Sequence, residues 1–369
     1  MQLIQAHRDA LLKPLTTVAG IVERRHTLPI LANILMRKRG KVVSFVATDL
    51  EVQITTNTEF GAGDQDMAVT VGARKLLDIL RALPANEQIT ISLVSNKMTV
   101  QCGKSRFALQ TLAATDFPTL AEPEATDISI SLPQRTLKHL FGMTSYAMAQ
   151  QDIRYYLNGT LLVFEPGMLR AVATDGHRLA HCSHAQDGIQ SPREIIVPRK
   201  TVQELQRLLS DSDELVSIDC AAGQVRFGFD QVELVSKLVE GKFPDYKRVI
   251  PTNYTRHFEV SREALLASLQ RAAILSTDKL RSVRFQLADN NLTASSTNAD
   301  QEEALEEIEV NYEHEALDVG FNVSYLLDFL SNIKQETIRW SVMPDANASA
   351  LLTLPGDDAF QYVVMPMRI

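Results

Sequence analysis

The sequence predicts an α+β protein built from three tandem copies of one domain, each with two helices packed on a β-sheet. A Thr-Asp string at residues 46–49 returns at 172–175, and a weaker Thr-Asn version stands at 295–298. The threonines are separated by 126 and 123 residues (174 − 48 and 297 − 174). A Phe-Pro pair at residues 117–118 also returns after 126 residues, at 243–244. Repeats of this length are whole domains rather than solenoid units.

We place the domains at residues 1–126, 127–254 and 255–369. A chain of 369 residues favours two or three domains on length alone, and the repeats decide for three. Turn-forming residues gather near 123–127 and 251–255, where we expect the linkers.

Each copy is expected to contain two amphipathic helices. Apolar residues recur there at helical spacing, as Leu76, Leu77 and Leu80 do in the first copy. Ser261 is a suitable N-cap for the first helix of the third copy. The predicted helices span residues 7–22, 73–83, 133–149, 199–209, 261–276 and 323–333.

Short β-rich runs fill the chain between and after these helices. Turn residues such as Asp289 and Asn290 separate neighbouring runs, which is typical of hairpins. The predicted strands include residues 42–46, 51–56, 89–93, 98–102, 106–112, 161–164, 169–173, 283–287 and 291–295.

The composition excludes several classes of protein. Hydrophobic residues make up 45% of the chain and charged residues 22%, as in globular proteins with a buried core. No apolar run approaches the ~18 residues that a membrane span needs, and the first residues lack the pattern of a signal peptide. Cys102, Cys182 and Cys220 are far apart and form no CxxC motif, which indicates a reduced, cytoplasmic chain.

The charges are distributed unevenly along the chain. A net charge of −8 argues against a protein that is basic over its whole surface. Basic residues nevertheless collect on the predicted helices, whereas acidic residues collect in runs such as 211–214 and 302–307. A cationic face on the helical layer and ordinary solvated helix surfaces both stay open as interpretations. The basic residues concerned include Arg74, Lys75, Lys138, Arg199, Lys200 and Arg207.

Residues 174–179 allow a catalytic and a structural interpretation. In the catalytic one, Asp175 and His177 form an acid–base pair beside a nucleophilic Thr174. The first copy, however, has Leu-Glu where a histidine would be needed. Short polar side chains that bond to their own backbone explain the shared Thr-Asp or Thr-Asn better. We therefore favour turns in all three copies, with residues 176–179 of the second copy forming a binding surface.

A metal site is a weaker alternative for His177, His181 and His184. Their spacing matches no standard zinc signature, and Cys182 points to the opposite side of a strand from His181. The sequence also lacks the common nucleotide-binding and hydrolase motifs. We therefore expect no metal and no cofactor.

The end of the chain reads Tyr-Val-Val-Met-Pro-Met-Arg-Ile over residues 362–369. A frayed tail after a last strand is one interpretation, although frayed tails are usually polar. Methionines adapt their shape and suit surfaces that accept several partners. A peptide-binding groove is therefore the functional hypothesis for this segment.

A further pattern concerns contacts between chains. The first copy carries a cationic strand around Lys104 and Arg106, and the third copy carries an acidic run at 302–307. Two chains can meet head to tail through such ends, a contact that closes into a ring if the rotation allows. Charge runs that are merely solvated are the alternative.

Over its full length the chain resembles the bacterial DNA polymerase III beta subunit family, the sliding clamps. One string that carries the resemblance is Asp-Ile-Arg-Tyr-Tyr-Leu-Asn-Gly at residues 152–159. The others lie at residues 26–33, 172–179, 196–200, 242–246, 273–276, 322–325 and 363–368.

The resemblance implies a head-to-tail homodimer that closes into a six-domain ring, with helices lining the hole. Double-stranded DNA would pass through the ring without being read in sequence. The ring would tether the replicative polymerase and confer processivity in DNA replication, with no catalytic activity of its own. The clamp loader, other polymerases and repair proteins would bind it through short peptide motifs. A scaffold that binds partners but never DNA is the remaining alternative.

The resemblance also assigns residues to three surfaces. The peptide groove would comprise Leu157, Thr174, Gly176, His177, Arg178, Leu179, Pro244, Arg248, Val249, Asn322, Tyr325, Ser349, Val363, Val364, Met365, Pro366, Met367 and Arg368. The DNA-facing residues would be Arg25, Arg74, Lys75, Lys138, Arg199, Lys200 and Arg207. The dimer interface would set Arg106, Phe107 and Leu109 of one chain against a group on the other chain, namely Ile274, Leu275, Glu302, Glu303, Glu306 and Glu307.

Overall fold

The computed structural model describes residues 1–23, 28–121, 125–276 and 281–368, and these form six α-helices. The helices are α1 (Arg8–Ala19), α2 (Ala73–Ala82), α3 (Gln134–Thr144), α4 (Arg199–Leu208), α5 (Arg262–Ala272) and α6 (Val323–Asn332). All six predicted helices are thereby confirmed. None of them is long and apolar enough to cross a membrane.

The ends of three helices differ from the prediction by more than one residue. The predicted spans 7–22, 133–149 and 261–276 run beyond the observed helix ends. α3 and α5 each pass into a short 3₁₀ turn, at Ser145–Ala147 and Ala273–Leu275. Such tighter turns commonly finish a helix because they satisfy its last carbonyl groups. The start of α5 agrees with the prediction, since the Ala264 amide donates a hydrogen bond to the Ser261 hydroxyl.

The described residues also form 24 β-strands. The first are β1 (Gln2–His7), β2 (Asn33–Arg39), β3 (Val42–Thr48), β4 (Val52–Thr58), β5 (Met67–Gly72), β6 (Gln88–Val94), β7 (Lys97–Cys102), β8 (Ser105–Ala113) and β9 (Ile128–Pro133). Next come β10 (Gly159–Glu165), β11 (Gly167–Thr174), β12 (Arg178–Gln186), β13 (Arg193–Pro198), β14 (Leu215–Ala221), β15 (Gln224–Phe229) and β16 (Val232–Lys237). The last are β17 (Arg256–Ser261), β18 (Ser282–Ala288), β19 (Asn291–Thr297), β20 (Glu303–Glu309), β21 (Leu317–Asn322), β22 (Thr337–Val342), β23 (Ala350–Leu354) and β24 (Asp357–Val364).

The chain divides into two compact units. Unit 1 comprises Met1–Arg135 with Arg207–Leu238, and unit 2 comprises Thr136–Gln206 with Val239–Ile369. Each unit joins strands from two sequence copies, so the units do not coincide with the repeats. The domain boundaries near residues 126 and 254 therefore stay a prediction.

Unit 1 is organised around one antiparallel sheet of twelve strands, in the order β1-β6-β7-β8-β5-β2-β3-β4-β16-β15-β14-β9. The first and second sequence copies meet where β4 pairs with β16, with Val52 opposite Ser236 and Ile54 opposite Leu234. α1 packs against α2 and against β3 and β4. Leu11, Leu15 and other apolar residues of α1 are fully buried in this contact layer, which is what an amphipathic helix on a sheet requires.

Unit 2 contains an eight-stranded sheet, β13-β10-β11-β12-β24-β23-β22-β17, and a four-stranded sheet, β20-β19-β18-β21. The second and third copies meet where β12 pairs with β24, with Arg178 opposite Val364 and Ala180 opposite Tyr362. α5 packs against α6 and against β19 and β20. The junction within unit 2 thus repeats the junction within unit 1.

The repeated Thr-Asp string forms turns, as predicted. In the first copy, the Thr48 hydroxyl donates to the Val52 carbonyl oxygen at 2.9 Å, and Asp49 Oδ1 accepts from the Val52 amide at 2.7 Å. In the second copy, the Thr174 hydroxyl donates to the Arg178 carbonyl oxygen at 2.6 Å. In the third, Asn298 Oδ1 accepts from the Glu302 amide at 2.9 Å. The string is therefore structural in every copy.

Candidate peptide groove and contact surfaces

The C-terminal residues continue from β24 along unit 2 and are held by backbone hydrogen bonds. The Met365 amide donates to the His177 carbonyl oxygen at 2.9 Å, and the Met367 amide donates to the Gly320 carbonyl oxygen at 2.8 Å. The tail therefore lies between the turn that precedes β12 and strand β21. Because both amides have hydrogen-bond partners, the described part of the tail forms a wall of the candidate groove and is not a frayed end.

An apolar floor lies beside this tail. Leu157, Leu179 and Val363 are buried and belong to one cluster, together with Val172 and Tyr246. Met365 and Val249 are among the exposed large apolar residues, with Met365 45% exposed. A buried apolar floor with exposed apolar residues near it can bind the side chains of a peptide.

Arg178 provides a charged wall of the groove. Its side chain is only 9% exposed, its Nε donates to Asp175 Oδ2 at 3.0 Å and its Nη1 donates to Asp328 Oδ2 at 2.7 Å. The guanidinium carbon lies 4.4 Å from the centre of the Tyr325 ring. Burial opposes the charged form, but Tyr362 and Asp328 outweigh it and raise the pKa of Arg178 above its ordinary value. The cation is therefore fixed between two carboxylates and an aromatic face.

Gly176 has a backbone conformation that residues with a side chain rarely adopt. Its φ is +90°, and a Cβ atom built there would lie 2.9 Å from Arg154 Nη1. Arg154 is held by Asp152, with Nε to Oδ1 at 3.0 Å and Nη2 to Oδ2 at 2.8 Å, and it also donates to the Asp175 carbonyl oxygen at 3.0 Å. These hydrogen bonds from Arg154 lower the pKa of Asp152 to about 2.

A cavity of about 490 Å³ adjoins this wall. Sequence reasoning placed His177, Arg178 and Tyr325 here but missed several lining residues. The missed residues are Tyr146, Met148, Ala149, Gln150, Asp152, Arg154 and Asp328. Arg154 and Asp152 lie in the string at 152–159 that carries the family resemblance, whereas Asp328 lies inside an ordinary amphipathic helix and gave no signal.

The remaining predicted groove residues are in different settings. Asn322 caps α6 through a hydrogen bond from the Ser324 amide, and the Ser349 carbonyl oxygen accepts from the Tyr254 hydroxyl at 3.0 Å. Arg248 is exposed and pairs with Asp245 at 2.9 Å. Val364 is buried in β24. Pro244 and Arg368 are exposed, and Pro366 and Met367 are half-buried.

The residues that the catalytic interpretation would use form turn hydrogen bonds and ion pairs instead of an acid–base pair. The Thr174 hydroxyl donates within its own turn, and Asp175 accepts from the His177 amide at 2.9 Å and pairs with Arg178. His177 is exposed, whereas His181 is half-buried and stacks on Tyr246 with ring centres 5.8 Å apart. Burial lowers the pKa of His181 to about 4. Within the described ranges, no three His, Cys, Asp or Glu side chains are grouped as a metal site requires.

The predicted DNA-facing cations divide between the two units. In unit 1, Arg74 and Lys75 are exposed on α2, and Arg74 lines a cavity of about 340 Å³ together with Arg207. Arg207 Nη2 donates to the Thr17 carbonyl oxygen at 2.9 Å. In unit 2, Lys138 and Lys200 are half-buried on α3 and α4. Arg25 lies outside the described residues.

Arg199 differs from the other predicted DNA-facing cations. Its Nη1 donates to the Met148 carbonyl oxygen at 3.1 Å, and its side chain lines the cavity beside Arg178. Burial lowers its pKa, with the neighbouring Arg178 acting in the same direction. Its role in DNA contact stays a prediction.

The two predicted interface segments both offer strand edges. β8 pairs with β7 over residues 105–110 and with β5 only over 111–113. No other described strand pairs with residues 105–110 of β8, which include Arg106, Phe107 and Leu109. β20 is an edge strand, paired with β19 alone among the strands described.

The edge at β20 combines apolar and acidic side chains. Ile274 is 77% exposed and Leu305 is 57% exposed, whereas Leu275 is half-buried. Glu302, Glu303 and Glu307 are exposed, but Glu306 accepts a hydrogen bond from Arg271 Nε at 2.8 Å in the same chain. The predicted interface did not include Leu305. Its position as an apolar residue inside the acidic run could have indicated it.

Comparison with known proteins agrees with this architecture. Family models of the DNA polymerase III beta subunit match residues 1–121 as its N-terminal domain, 131–245 as its central domain and 247–368 as its C-terminal domain. The beta sliding clamp of Pseudomonas putida is 47% identical over 363 residues, which cover 98% of each chain. The Escherichia coli K12 clamp is 41% identical over 362 residues, with the same coverage.

A solved structure gives the same result. The crystal structure of the DNA polymerase III subunit beta from Pseudomonas aeruginosa superposes with a TM-score of 0.95 at 45% identity and covers both chains completely. Three matched domains and full-length similarity to clamps lead to one assignment: the chain belongs to the DNA polymerase III beta subunit family, the bacterial sliding clamps.

Proposed function

We propose that this chain is a DNA sliding clamp that acts in the bacterial cytoplasm. Two copies form a ring of six domains around double-stranded DNA and tether the replicative polymerase, which makes DNA synthesis processive. The clamp is a processivity factor and not an enzyme, and it needs no cofactor. The observation that carries the proposal is the match of all three clamp domains, in order, within one chain.

Contact with DNA must be independent of sequence, because a clamp slides along its template. Such contact comes from cations that meet phosphates rather than base edges. Arg74, Lys75 and Arg207 are exposed cations on the helices of unit 1, and they support this assignment. Together with Arg25, Lys138, Arg199 and Lys200, they are the proposed DNA-facing residues.

Partner proteins bind, in this proposal, through short peptides in the groove of unit 2. The apolar floor around Leu179 and Val363 takes apolar side chains, while Met365 adapts to different sequences. Polymerases, the clamp loader and repair proteins would compete for this one groove. That competition would order the exchange of partners on DNA.

The ring closes, in this proposal, where the β8 edge of one chain meets the β20 edge of the other. On one side of each edge, the backbone groups of residues 105–110 and 303–309 pair with no other described strand, and unpaired strand edges readily add another strand. Arg106 lies on the first edge, and Glu303 and Glu307 lie on the second. Opposite charge then favours this pairing over pairing of like edges.

Replacing Ile274 with Glu is expected to convert the dimer into a monomer at micromolar concentration. The change places a charge on an apolar residue that the proposed contact would bury. The measurement is the molar mass by light scattering after size exclusion. Ile153→Glu is the matched control, because Ile153 is 96% exposed and lies outside the proposed interface. A dimer that persists in I274E, or one that is lost equally in I153E, would contradict the interface.

The function is tested by loading the protein onto nicked circular DNA with its cognate clamp loader. A ring around DNA should stay bound to the nicked circle in high salt. It should slide off once the circle is cut to a linear form. Retention on linear DNA at the level seen on circles would rule out encirclement. A protein that never associates with the circle, although it binds polymerase, would support the scaffold alternative.

A further inference from the structure

A second large cleft lies in unit 1, where the first and second sequence copies meet. Its volume is about 730 Å³, and strands β2–β4 form one side of it while β14–β16 form the other. Residues Thr119, Leu120 and Ala121, which follow β8 along the chain, also line it. We call it the arginine cleft, after Arg37, Arg39 and Arg226 in its lining.

The arginine cleft and the peptide groove occupy equivalent places in the repeat. Both adjoin a strand pairing between successive copies, β4 with β16 in one and β12 with β24 in the other. Leu35, Val46 and Phe117 form a buried apolar cluster in unit 1. The residues 126 positions later are members of the apolar cluster under the peptide groove, namely Leu161, Val172 and Phe243.

The two sites differ in how much of their space the protein's own side chains occupy. In the peptide groove, the Tyr246 ring stacks on His181. The residue 126 positions before Tyr246 is Leu120, and the residue 126 positions before His181 is Thr55. Both line the arginine cleft. These smaller side chains make no such stack, and the cleft stays open.

Among the described residues that line the cleft, positive charges outnumber negative ones. Arg37 and Arg39 lie on the same face of β2, because side chains alternate along a strand. Lys38, between them, faces the opposite side, where its buried Nζ donates to the Gly63 and Gln65 carbonyl oxygens at 2.7 Å each. Neither Arg37 nor Arg39 forms an ion pair with any residue that the structure describes.

The other charges in the cleft are already paired. Arg226 Nε contacts Asp219 Oδ2 at 3.2 Å, and its Nη1 lies 3.7 Å from Glu233 Oε2. The Gln224 side-chain oxygen is buried in the cleft lining and accepts no hydrogen bond from the described residues. Two cations without an ion-pair partner among the described residues and an apolar floor at Val46 and Val235 are therefore available to a ligand.

We propose that the arginine cleft binds an extended peptide segment of a partner protein that carries both carboxylate and aliphatic side chains. Its carboxylates pair with Arg37 and Arg39, and its aliphatic side chains lie on Val46 and Val235. A nucleic-acid strand fits less well, because its phosphates repeat along the whole backbone and have no use for the apolar floor at Val46 and Val235. This site is additional to the groove of unit 2.

The probe is a terminally blocked peptide of alternating glutamate and leucine, titrated calorimetrically into the full-length protein. Deleting residues 365–369 removes the wall of the peptide groove, and this variant is expected to retain the binding measured here. Arg37→Gln with Arg39→Gln is expected to weaken binding about tenfold, through the loss of two charge pairs. Lys97→Gln with Lys334→Gln is the matched control, since both lysines are exposed and lie outside the cleft lining.

A second variant tests the cleft without changing its charge. Val42 lines the cleft and is partly exposed, so Val42→Trp is expected to occlude the site and to weaken the same binding at least as much. Unchanged affinity in R37Q/R39Q and in V42W would overturn the proposal. It would also be overturned if the deletion variant alone lost the peptide, or if a thymidine oligonucleotide bound through Arg37 and Arg39 more tightly than the peptide.

Discussion

Deletion of residues 365–369 is expected to reduce the affinity for a partner peptide about 100-fold while the dimer stays intact. The deletion removes the amides that bond to the His177 and Gly320 carbonyl oxygens, together with the Met365 and Met367 side chains. A 100-fold loss corresponds to about 2.8 kcal/mol, which we divide about equally between the two methionine side chains and the backbone support of the tail. Isothermal titration with a polymerase-derived peptide measures the effect, and primer-extension length reports the loss of polymerase stimulation.

The comparison variant for this deletion is Met365→Ala with Met367→Ala. It keeps both backbone hydrogen bonds and removes only the side chains, so we expect an intermediate loss of about tenfold. Light scattering should give the same dimer mass for both variants, because the tail lies apart from the β8 and β20 edges in the sequence. A monomeric deletion product, or unchanged peptide affinity, would contradict the assignment of the tail.

Replacement of Arg178 with Ala is expected to lower the free energy of unfolding of unit 2 by about 3 kcal/mol. The change leaves Asp175 without its nearly buried partner and removes the cation from the Tyr325 ring. Breaking a buried pair costs about 3–5 kcal/mol, and we take the lower value because Asp328 is exposed enough for water to replace its partner. Urea denaturation followed by tyrosine and tryptophan fluorescence measures the change, since Trp340 lies in unit 2.

Two further variants separate the causes of that loss. Arg178→Lys keeps the charge but not the forked hydrogen bonds, so we expect roughly half of the destabilisation. Arg339→Ala is the control, because Arg339 makes an exposed ion pair with Glu259 in the same unit and exposed pairs contribute little. If R178A unfolds at the urea concentration of the native protein, Arg178 does not hold the groove together.

The elements that sequence patterns predict well are those set by local physics. The leucine spacing of α2 requires an amphipathic helix, and the Thr-Asp strings bond to their own backbone whatever surrounds them. The alternation of helices with strands in each copy follows from the same local signals, but each copy opens with a strand (β1, β9 or β17) where we expected a helix. These features need no knowledge of which strands become neighbours.

The parts that the sequence does not reveal depend on distant contacts. Arg178 and Asp328 are 150 positions apart, and nothing in α6 distinguishes Asp328 from a solvated helix residue. Arg199 looks like a surface cation on a helix, yet its guanidinium bonds to the Met148 carbonyl oxygen. The free edges of β8 and β20 become visible only once the strand order is known. Side chains that meet through the tertiary fold leave no periodic trace in the chain.

The pairing of β4 with β16 and of β12 with β24 has a mechanical consequence. Backbone hydrogen bonds between strands join successive copies, in addition to the linkers. We call these two strand pairings the seams. Bending at either seam would break several hydrogen bonds at once. If two chains form the proposed ring, its stiff segments are these seams and its weak points are the contacts between chains. A clamp loader would therefore open the ring most easily at the contacts between chains. The peptide groove is built on one of the seams, so it would keep its shape while the ring is open.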